Sequence, residues 1–324
     1  MPRAIPPCRR PGTAAALLAL LVALAGCAPQ LAVAPQPRPL PRPMVPPALP
    51  AAPPAPSPES LALAAYYAKV QADLLGQGLL RTDGGGKDTP FTDTMLTENF
   101  IRVALFDEYR RTSAGLMAQE TTSRLRRWAQ PVRVSVAFGA SVPAQRRATD
   151  RALIGSYLAR LQSITGHPIT LSDSGANFFI HVVNEDERRA LGPVIRSTLP
   201  ELSAPEVAGL TDLPRSTYCI VYALSEGSAS TYARAFAVVR AEHPDLLRLS
   251  CLHEEIAQGL GLANDSPLAR PSIFNDDEEF ALLTRQDELM LKMLYDPALR
   301  PGMTAAEARP IVKAIASRLI GGSS

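Results

Sequence analysis

Apolar positions change their spacing near residue 128, and the change separates two kinds of structure. Before that point they return every three or four positions over residues 61–75 and again over residues 94–112, which is the period of an amphipathic helix. Pro58 and Glu59 stand directly before the first stretch, an arrangement typical of a helix start. The pattern therefore predicts a helical N-terminal part over residues 59–127.

Beyond residue 128, apolar, β-branched and aromatic side chains gather in four short runs, and such runs predict strands. The runs are residues 131–138, 177–183, 218–224 and 235–240. Helical spacing over residues 143–164 separates the first two runs. This mixture predicts an α+β domain with one mixed sheet over residues 128–324.

The end of the chain returns to helical spacing, over residues 280–294 and 304–319. We therefore expect helical extensions at both ends of the α+β domain. Thr304 and Glu307 have the spacing of a capping box. The acidic run at residues 276–279 is typical of an exposed helix start, because carboxylates are favoured at the positive end of a helix dipole.

The first 26 residues predict a lipoprotein signal peptide rather than part of the fold. Three arginines precede a small, apolar stretch at residues 13–25 that is too short to span a bilayer comfortably. It ends in Leu-Ala-Gly-Cys, which resembles a bacterial lipobox, so Cys27 is the predicted lipidation site. The alternative is an ordinary secretory signal cut at a small residue. Because Ala28 is not an aspartate, we expect a lipid anchor on the periplasmic face of the outer membrane, with the membrane as partner through Cys27.

A proline-rich segment follows at residues 27–58. Each proline removes a backbone donor and fixes φ, so we expect neither a helix nor a sheet there. An extended polyproline II chain of this length reaches up to roughly 90 Å. The segment is therefore predicted to be a spacer that holds the folded part away from the membrane.

Net charge and cysteine content limit the partners and the compartment. The formal net charge is only +2, which gives no electrostatic reason to expect a nucleic-acid partner. Cys219 and Cys251 remain once Cys8 leaves with the signal peptide and Cys27 is lipidated. In an oxidising periplasm we expect these two to form a disulfide, the alternative being two buried free thiols.

The helical stretch at residues 250–261 carries the candidate chemistry. Ser250 is a good N-cap and Gly261 suits a helix end, while apolar side chains every four residues predict a buried face. His253 lies next to this predicted N-cap region, and we expect it at the surface. A functional interpretation depends on the polar face of the same helix.

That polar face has the spacing of the metzincin pattern H-E-x-x-H-x-x-G-x-x-H, filled with other side chains. Starting from Glu254, the stretch is E-E-x-x-Q-x-x-G-x-x-N. Glu255 then stands at the position of the catalytic glutamate. The three ligand positions are held by Glu254, Gln258 and Asn264, with Asp265 adjacent.

The longer motif E-E-x-x-Q-x-L-G-L-x-N-D, together with residues 271–276 and 294–303, resembles a bacterial family known only as a domain of unknown function. Members of that family are secreted or lipid-anchored and are related to zincin-like peptidases. The resemblance covers most of residues 80–318. It implies a zincin-like domain with an active-site-type helix.

The predicted donors suit calcium or magnesium better than zinc. Glu254 offers a carboxylate, and Gln258 and Asn264 offer amide oxygens, which hard cations prefer, whereas zinc peptidases use imidazoles. We therefore expect a degenerate zincin-like site that does not hydrolyse, and that binds or scaffolds a periplasmic protein or peptide along an edge strand at residues 235–240. The alternative is a metal-dependent peptidase or hydrolase with Glu255 as general base and these side chains, or Asp265, as ligands.

Overall fold

The computed structural model describes residues 55–112, 115–275 and 277–321. The predicted signal peptide, the lipidation site Cys27 and the proline-rich linker up to residue 54 lie outside these ranges. Within them, helices surround a mostly parallel sheet, which confirms the predicted α+β class. None of the helices in the described ranges is long and apolar enough to cross a membrane.

The N-terminal part contains two helices and a hairpin. Its elements are α1 (Pro58–Gly76), α2 (Asp93–Ala104), β1 (Phe106–Thr112) and β2 (Gly115–Thr122). The helix predicted over residues 94–112 is wrong beyond Ala104, because the backbone from Phe106 onward pairs with β2. Phe106 follows Val103 by three positions, so the helical spacing continues past the point where the helix ends.

The main sheet is mixed, as predicted. Its strands are β3 (Arg127–Trp128), β4 (Val132–Phe138), β5 (Ile169–Leu171), β6 (Phe178–Val183), β7 (Cys219–Ser225) and β8 (Thr231–Arg240). The order is β3–β8–β6–β4–β5, and β7 pairs with β8. Every pair in this sheet is parallel except β7–β8, which is antiparallel.

The predicted edge strand at residues 235–240 is wrong. This stretch belongs to β8, which pairs with β6 along one side and with β7 along the other. Two occupied sides leave no backbone donors or acceptors for a further strand. The edge position belongs to β7 instead.

The remaining helices surround this sheet, and the last two of them pack on other helices. The remaining helices are α3 (Ala144–Thr165), α4 (Glu185–Arg189), α5 (Gly192–Thr198), α6 (Ala204–Thr211), α7 (Asp245–Leu260), α8 (Arg285–Leu294) and α9 (Ala305–Gly321). Helices α3 and α9 were predicted within a few residues. Thr304 and Glu307 form the predicted capping box, since each side chain bonds the backbone N–H of the other.

The described part of the acidic run, residues 277–279, is a loop rather than a helix start, and residue 276 lies outside the described residues. Leu80 and Arg81 donate their backbone N–H groups to the carbonyls of Glu278 and Glu279, both at 2.8 Å. The Glu279 side chain also forms ion pairs with Arg81 and Arg270. These long-range bonds tie residues 278 and 279 to a distant segment, and the helix predicted from residue 280 begins only at Arg285.

Helix α7 begins five residues before the predicted N-cap. Pro244 takes the cap position, and Asp245 places a carboxylate in the first turn, where the helix dipole favours it. Asp245 also bonds Arg248, which is buried against Asp150. Ser250 therefore lies buried inside the helix instead of capping it.

Alternate side chains of β8 point into two separate cores. Ala235, Ala237 and Val239 belong to the larger core, which includes side chains of α2, α3, α7, α8 and α9. Phe236 and Val238 belong to a smaller core with α5 and α6. The sheet is thus covered on both faces, and its unpaired positions lie at its edges.

Two histidines, His243 and His253, are buried, and a third, His181, is partly buried. The predicted surface position of His253 is wrong: the side chain is 7% exposed, its ring stacks on Tyr157, and Nδ1 accepts a hydrogen bond from the Leu283 N–H. Because burial disfavours the charged ring, the pKa values of His243 and His253 fall to about 3 and that of His181 to about 4.

Replacing His181 with Phe is expected to reduce the acid sensitivity of the protein. As pH falls below 6.5, the unfolded chain binds a proton at this ring, whereas the folded chain does so only near pH 4. His181 therefore costs about 2 kcal/mol of stability at pH 5 and almost nothing at pH 7.5. Urea denaturation of both proteins at the two pH values measures this. An equal difference between variant and wild type at both pH values would contradict it.

Candidate binding cleft

A cleft of about 480 Å³ lies beside the edge strand of the main sheet. Strand β7 and the three residues before it form one side, and α7 presents its polar face to the same space. The rest of the lining comes from β1, from the segment before β3, from Tyr232 of β8 and from the loops that follow α7 and precede α8. The charged and amide side chains in it are Asp107, Glu108, Arg126, Glu254, Glu255, Gln258, Asp265 and Glu278.

Strand β7 lines this cleft along nearly its whole length, from Cys219 to Leu224. Its burial alternates, with Ile220, Tyr222 and Leu224 in the smaller core. One edge is paired with β8, from Cys219↔Val239 onward. Across the described part of the chain, no strand pairs with the other edge. The cleft therefore borders the outer edge of β7. Both faces of this strand are packed, but among the described residues no other strand lies along its outer edge.

Helix α7 places three of the predicted site residues in the cleft because its apolar stripe is buried elsewhere. Leu252 and Ile256 belong to the larger core, which turns Glu254, Glu255 and Gln258 toward the open space. Glu255 is only 4% exposed. Its Oε2 atom is buried and has no hydrogen-bond partner among the described residues.

The carboxylates in the cleft raise one another's pKa values. Burial is the main cause for both Glu254 and Glu255, and repulsion from Asp265 is the next largest, so both pKa values lie well above the ordinary range. Glu108 adds to the repulsion on both groups, and Glu278 adds to it on Glu254. Several carboxyl groups are thus gathered in a poorly hydrated space, where burial and mutual repulsion oppose their ionisation.

The two residues that follow the helix turn behave differently. Asp265 lines the cleft, where its Oδ1 accepts a hydrogen bond of 2.9 Å from Gln258 Nε2. Asn264 does not face the cleft, although it was predicted as a ligand with the others. It is 1% exposed and donates from Nδ2 to the Arg102 carbonyl at 3.0 Å. This hydrogen bond satisfies a carbonyl near the C-terminal end of α2, where the carbonyls lack N–H donors within the helix.

The four side chains predicted as metal ligands are not all brought together in the cleft. Among the described residues, no group of three or more His, Cys, Asp or Glu side chains is placed to hold one. Asn264 is turned away, and the hydrogen bond from Gln258 Nε2 to Asp265 Oδ1 occupies one of the predicted carboxylate donors. The described residues therefore do not assemble the predicted set of four donors around one point.

The predicted disulfide between Cys219 and Cys251 is present and joins two sides of the cleft. Cys219 is the first residue of β7, and Cys251 lies in α7 one helical turn before Glu254 and Glu255. The bond therefore fixes the edge strand to the helix that carries the carboxylates.

Several cleft residues were not predicted from the sequence, because they belong to segments that are far from α7 along the chain. Glu108 comes from β1, a stretch predicted to be helical. Glu278 comes from the loop predicted as a helix start, where it adopts a φ of 57°, uncommon for a side chain with a Cβ. Arg126 lines the cleft and forms an ion pair with Asp107. No spacing signal links these positions with the helix.

Replacing Glu255 with Gln is expected to raise the free energy of unfolding at pH 7.5 by about 1–3 kcal/mol, the usual cost of a buried unsatisfied group. A carboxyl with a raised pKa destabilises the folded state at pH values above its unfolded pKa. The gain should therefore shrink as pH falls toward 4.5. Urea denaturation across this range measures it. A loss of stability at pH 7.5 would show that the carboxylate is satisfied in the fold.

A family profile described as "Protein of unknown function (DUF2927)" matches residues 93–314. The match runs from the first residue of α2 into α9 and includes all the segments that line the cleft. No curated protein and no solved structure matches the chain significantly.

Proposed function

The chain belongs to the DUF2927 family of proteins of unknown function, and from this premise we propose that it is a lipid-anchored envelope protein that binds an extended segment of a periplasmic protein or peptide. The ligand lies in the cleft and adds to the sheet beside β7. The role is binding or scaffolding rather than hydrolysis. This function accounts for the edge strand, the crosslinked sides of the cleft and the buried carboxylates together.

The observation that carries this proposal is the position of β7. An exposed strand edge offers a row of backbone donors and acceptors that an extended peptide can pair with. Here that row borders a cleft of about 480 Å³ along the six residues from Cys219 to Leu224. Both faces of the strand are packed, so a ligand is expected to pair through the edge.

The residues before the fold support the lipid anchor. The lipobox-like end of the signal indicates that Cys27 carries a lipid, and a proline-rich spacer of this length lets the cleft reach partners away from the outer membrane. A Cys27→Ser variant is expected to move from the membrane fraction to the soluble fraction on cell fractionation. Retention in the membrane fraction would contradict the anchor.

The zincin relationship belongs to the same proposal. The motif E-E-x-x-Q-x-x-G-x-x-N keeps the glutamate and glycine of a zincin helix, and α7 lies directly beside an antiparallel edge strand. We interpret the cleft as a zincin-like substrate groove that has kept its binding surface. Loss of the imidazole ligands supports a role without turnover.

A hydrolase is the second candidate, and one observation favours it. Glu255 has a buried carboxylate oxygen without a hydrogen-bond partner among the described residues, which is the placement that a general base requires. Metal analysis of the purified chain, with hydrolysis of unfolded casein by wild type and Glu255→Gln, separates the two candidates. Turnover that disappears in Glu255→Gln would overturn the binding role.

Strand addition is tested with a capped heptapeptide of alternating threonine and valine with lysine at its centre. We expect the full-length chain in detergent to bind it measurably by calorimetry. A copy with alternate backbone amides N-methylated is expected to bind at least about tenfold more weakly, because it loses hydrogen bonds to the strand edge. Equal binding of the two peptides, or no binding of either, would contradict strand addition.

A further inference from the structure

We propose that the cleft selects an extended peptide that carries a cationic side chain, a lysine ammonium or an arginine guanidinium, and that this group binds Glu255 and Glu254. The inference rests on the proposed function, because it assumes a peptide beside β7. It adds the chemical class of the ligand side chain that the cleft recognises.

The first support is the unsatisfied oxygen of Glu255. Glu255 is only 4% exposed, and it lines the cleft. Its Oε2 atom has no hydrogen-bond partner among the described residues. Leaving such an acceptor unsatisfied costs free energy. A ligand that brings an N–H donor removes this cost on binding, and a charged donor makes the stronger hydrogen bond.

The second support is the charge of the lining. Carboxylates reach the cleft from four segments: Glu108 from β1, Glu254 and Glu255 from α7, Asp265 from the following turn and Glu278 from the loop before α8. The lining holds one cationic side chain among the described residues, Arg126, and it is already paired with Asp107. The cleft therefore favours a positively charged ligand group.

An organic cation fits this lining better than a metal ion. A metal needs several donors converging at short range, and no group of three or more acidic, His or Cys side chains in the described residues does so. An ammonium or guanidinium needs only one or two acceptors in hydrogen-bond reach. The unpartnered Glu255 Oε2 supplies one and Glu254 carries the neighbouring carboxylate.

The disulfide places these carboxylates within reach of a peptide on β7. Glu254 and Glu255 follow Cys251 by three and four residues, a displacement of roughly 5–6 Å along the helix axis. Cys251 is bonded to Cys219 at the start of β7. A lysine or arginine side chain spans about that distance, so a peptide paired with the strand can direct its cationic end to both carboxylates.

The test compares three heptapeptides that differ only at the centre, which is lysine, norleucine or glutamate. Affinities are measured by calorimetry with the full-length chain in detergent, with Glu255→Gln and Glu254→Gln, and with Glu201→Gln as the control. Glu201 pairs with Arg234 outside the cleft. Thermal unfolding of each variant checks that it is folded, and the half-buried Glu254 provides a second test should Glu255→Gln fail to fold.

We expect lysine to bind roughly 10- to 100-fold more tightly than norleucine, the range for a hydrogen bond to a charged group, and glutamate to bind most weakly. Glu255→Gln and Glu254→Gln should each reduce the lysine preference, and Glu201→Gln should leave it intact. Equal affinities for lysine and norleucine, with N-methylation still blocking both, would overturn the cationic preference alone. Loss of the N-methylation effect would overturn strand addition, and this inference with it.

Discussion

Replacing Cys219 and Cys251 together with serine is expected to lower the free energy of unfolding by about 3–4 kcal/mol. The bond closes a loop with a sequence separation of 32 residues, and the entropy that a crosslink of this length removes from the unfolded chain has that size. Cys251 is also 2% exposed, so a serine hydroxyl there is poorly accommodated. Urea denaturation of the oxidised wild type and the double variant measures the loss.

The cleft should respond to the same change. Without the bond, β7 and the carboxylates of α7 are no longer covalently joined, so the lysine peptide should bind more weakly to the double variant under conditions where both proteins are folded. Reduced wild type is the matched control and should behave like the variant. A stability loss below about 1 kcal/mol would contradict the role given to the disulfide.

Replacing Gly261 with Ala is expected to lower the free energy of unfolding by about 2–4 kcal/mol, from backbone strain and overpacking together. Gly261 ends α7 at a φ of 127°, a backbone conformation that residues with a Cβ rarely adopt. A Cβ there would lie 2.4 Å from the Arg126 carbonyl oxygen, a backbone atom that cannot rotate away. Arg126 lines the cleft, so the substitution should disturb peptide binding as well.

Gly76→Ala is the control for this prediction. Gly76 ends α1, and a Cβ there would meet no atom within 4 Å, so the control should be neutral or slightly stabilising. Urea denaturation of both variants beside wild type gives the comparison. Equal stabilities of Gly261→Ala and wild type would show that the turn after α7 is free to move.

The strands were predicted correctly where the strand itself is rich in residue types that favour β structure. The runs that became β4, β6, β7 and β8 are apolar and rich in β-branched residues, and such residues are enriched in strands because they fit a pleated, half-buried surface. The predicted ends of helices and strands were wrong where pairing with a distant part of the chain sets them. The helix predicted to residue 112 ends at Ala104 because β2 offers pairing partners, and the edge position went to β7 because strand order is set by packing of the whole chain.

The sequence predicted most of the site residues that lie on α7 and on the turn after it. Glu254, Glu255, Gln258 and Asp265 all reach the cleft, since their spacing on α7 and its turn places them on one side. Asn264 does not, because the unsatisfied end of α2 attracts its amide. That competition arises only in the folded protein.

The acidic character of the whole cleft could not be read from the sequence. Glu108 and Glu278 are separated by 170 positions in the chain, and only folding brings both to α7. The disulfide was predictable, because the cysteine count left two thiols to pair in the oxidising compartment that the sequence predicts. Its consequence for the cleft was not, since it depends on the edge position of β7.

Amide hydrogen exchange of β7 tests the central claim most directly. The lysine-centred heptapeptide is added to the full-length chain, and exchange is followed for the amides of Cys219–Ser225. Strand addition predicts that the amides facing the cleft exchange at least about tenfold more slowly when the peptide is bound, while the N-methylated peptide gives no protection. Unchanged exchange along β7 at saturating peptide would contradict the claim that this edge is the binding surface.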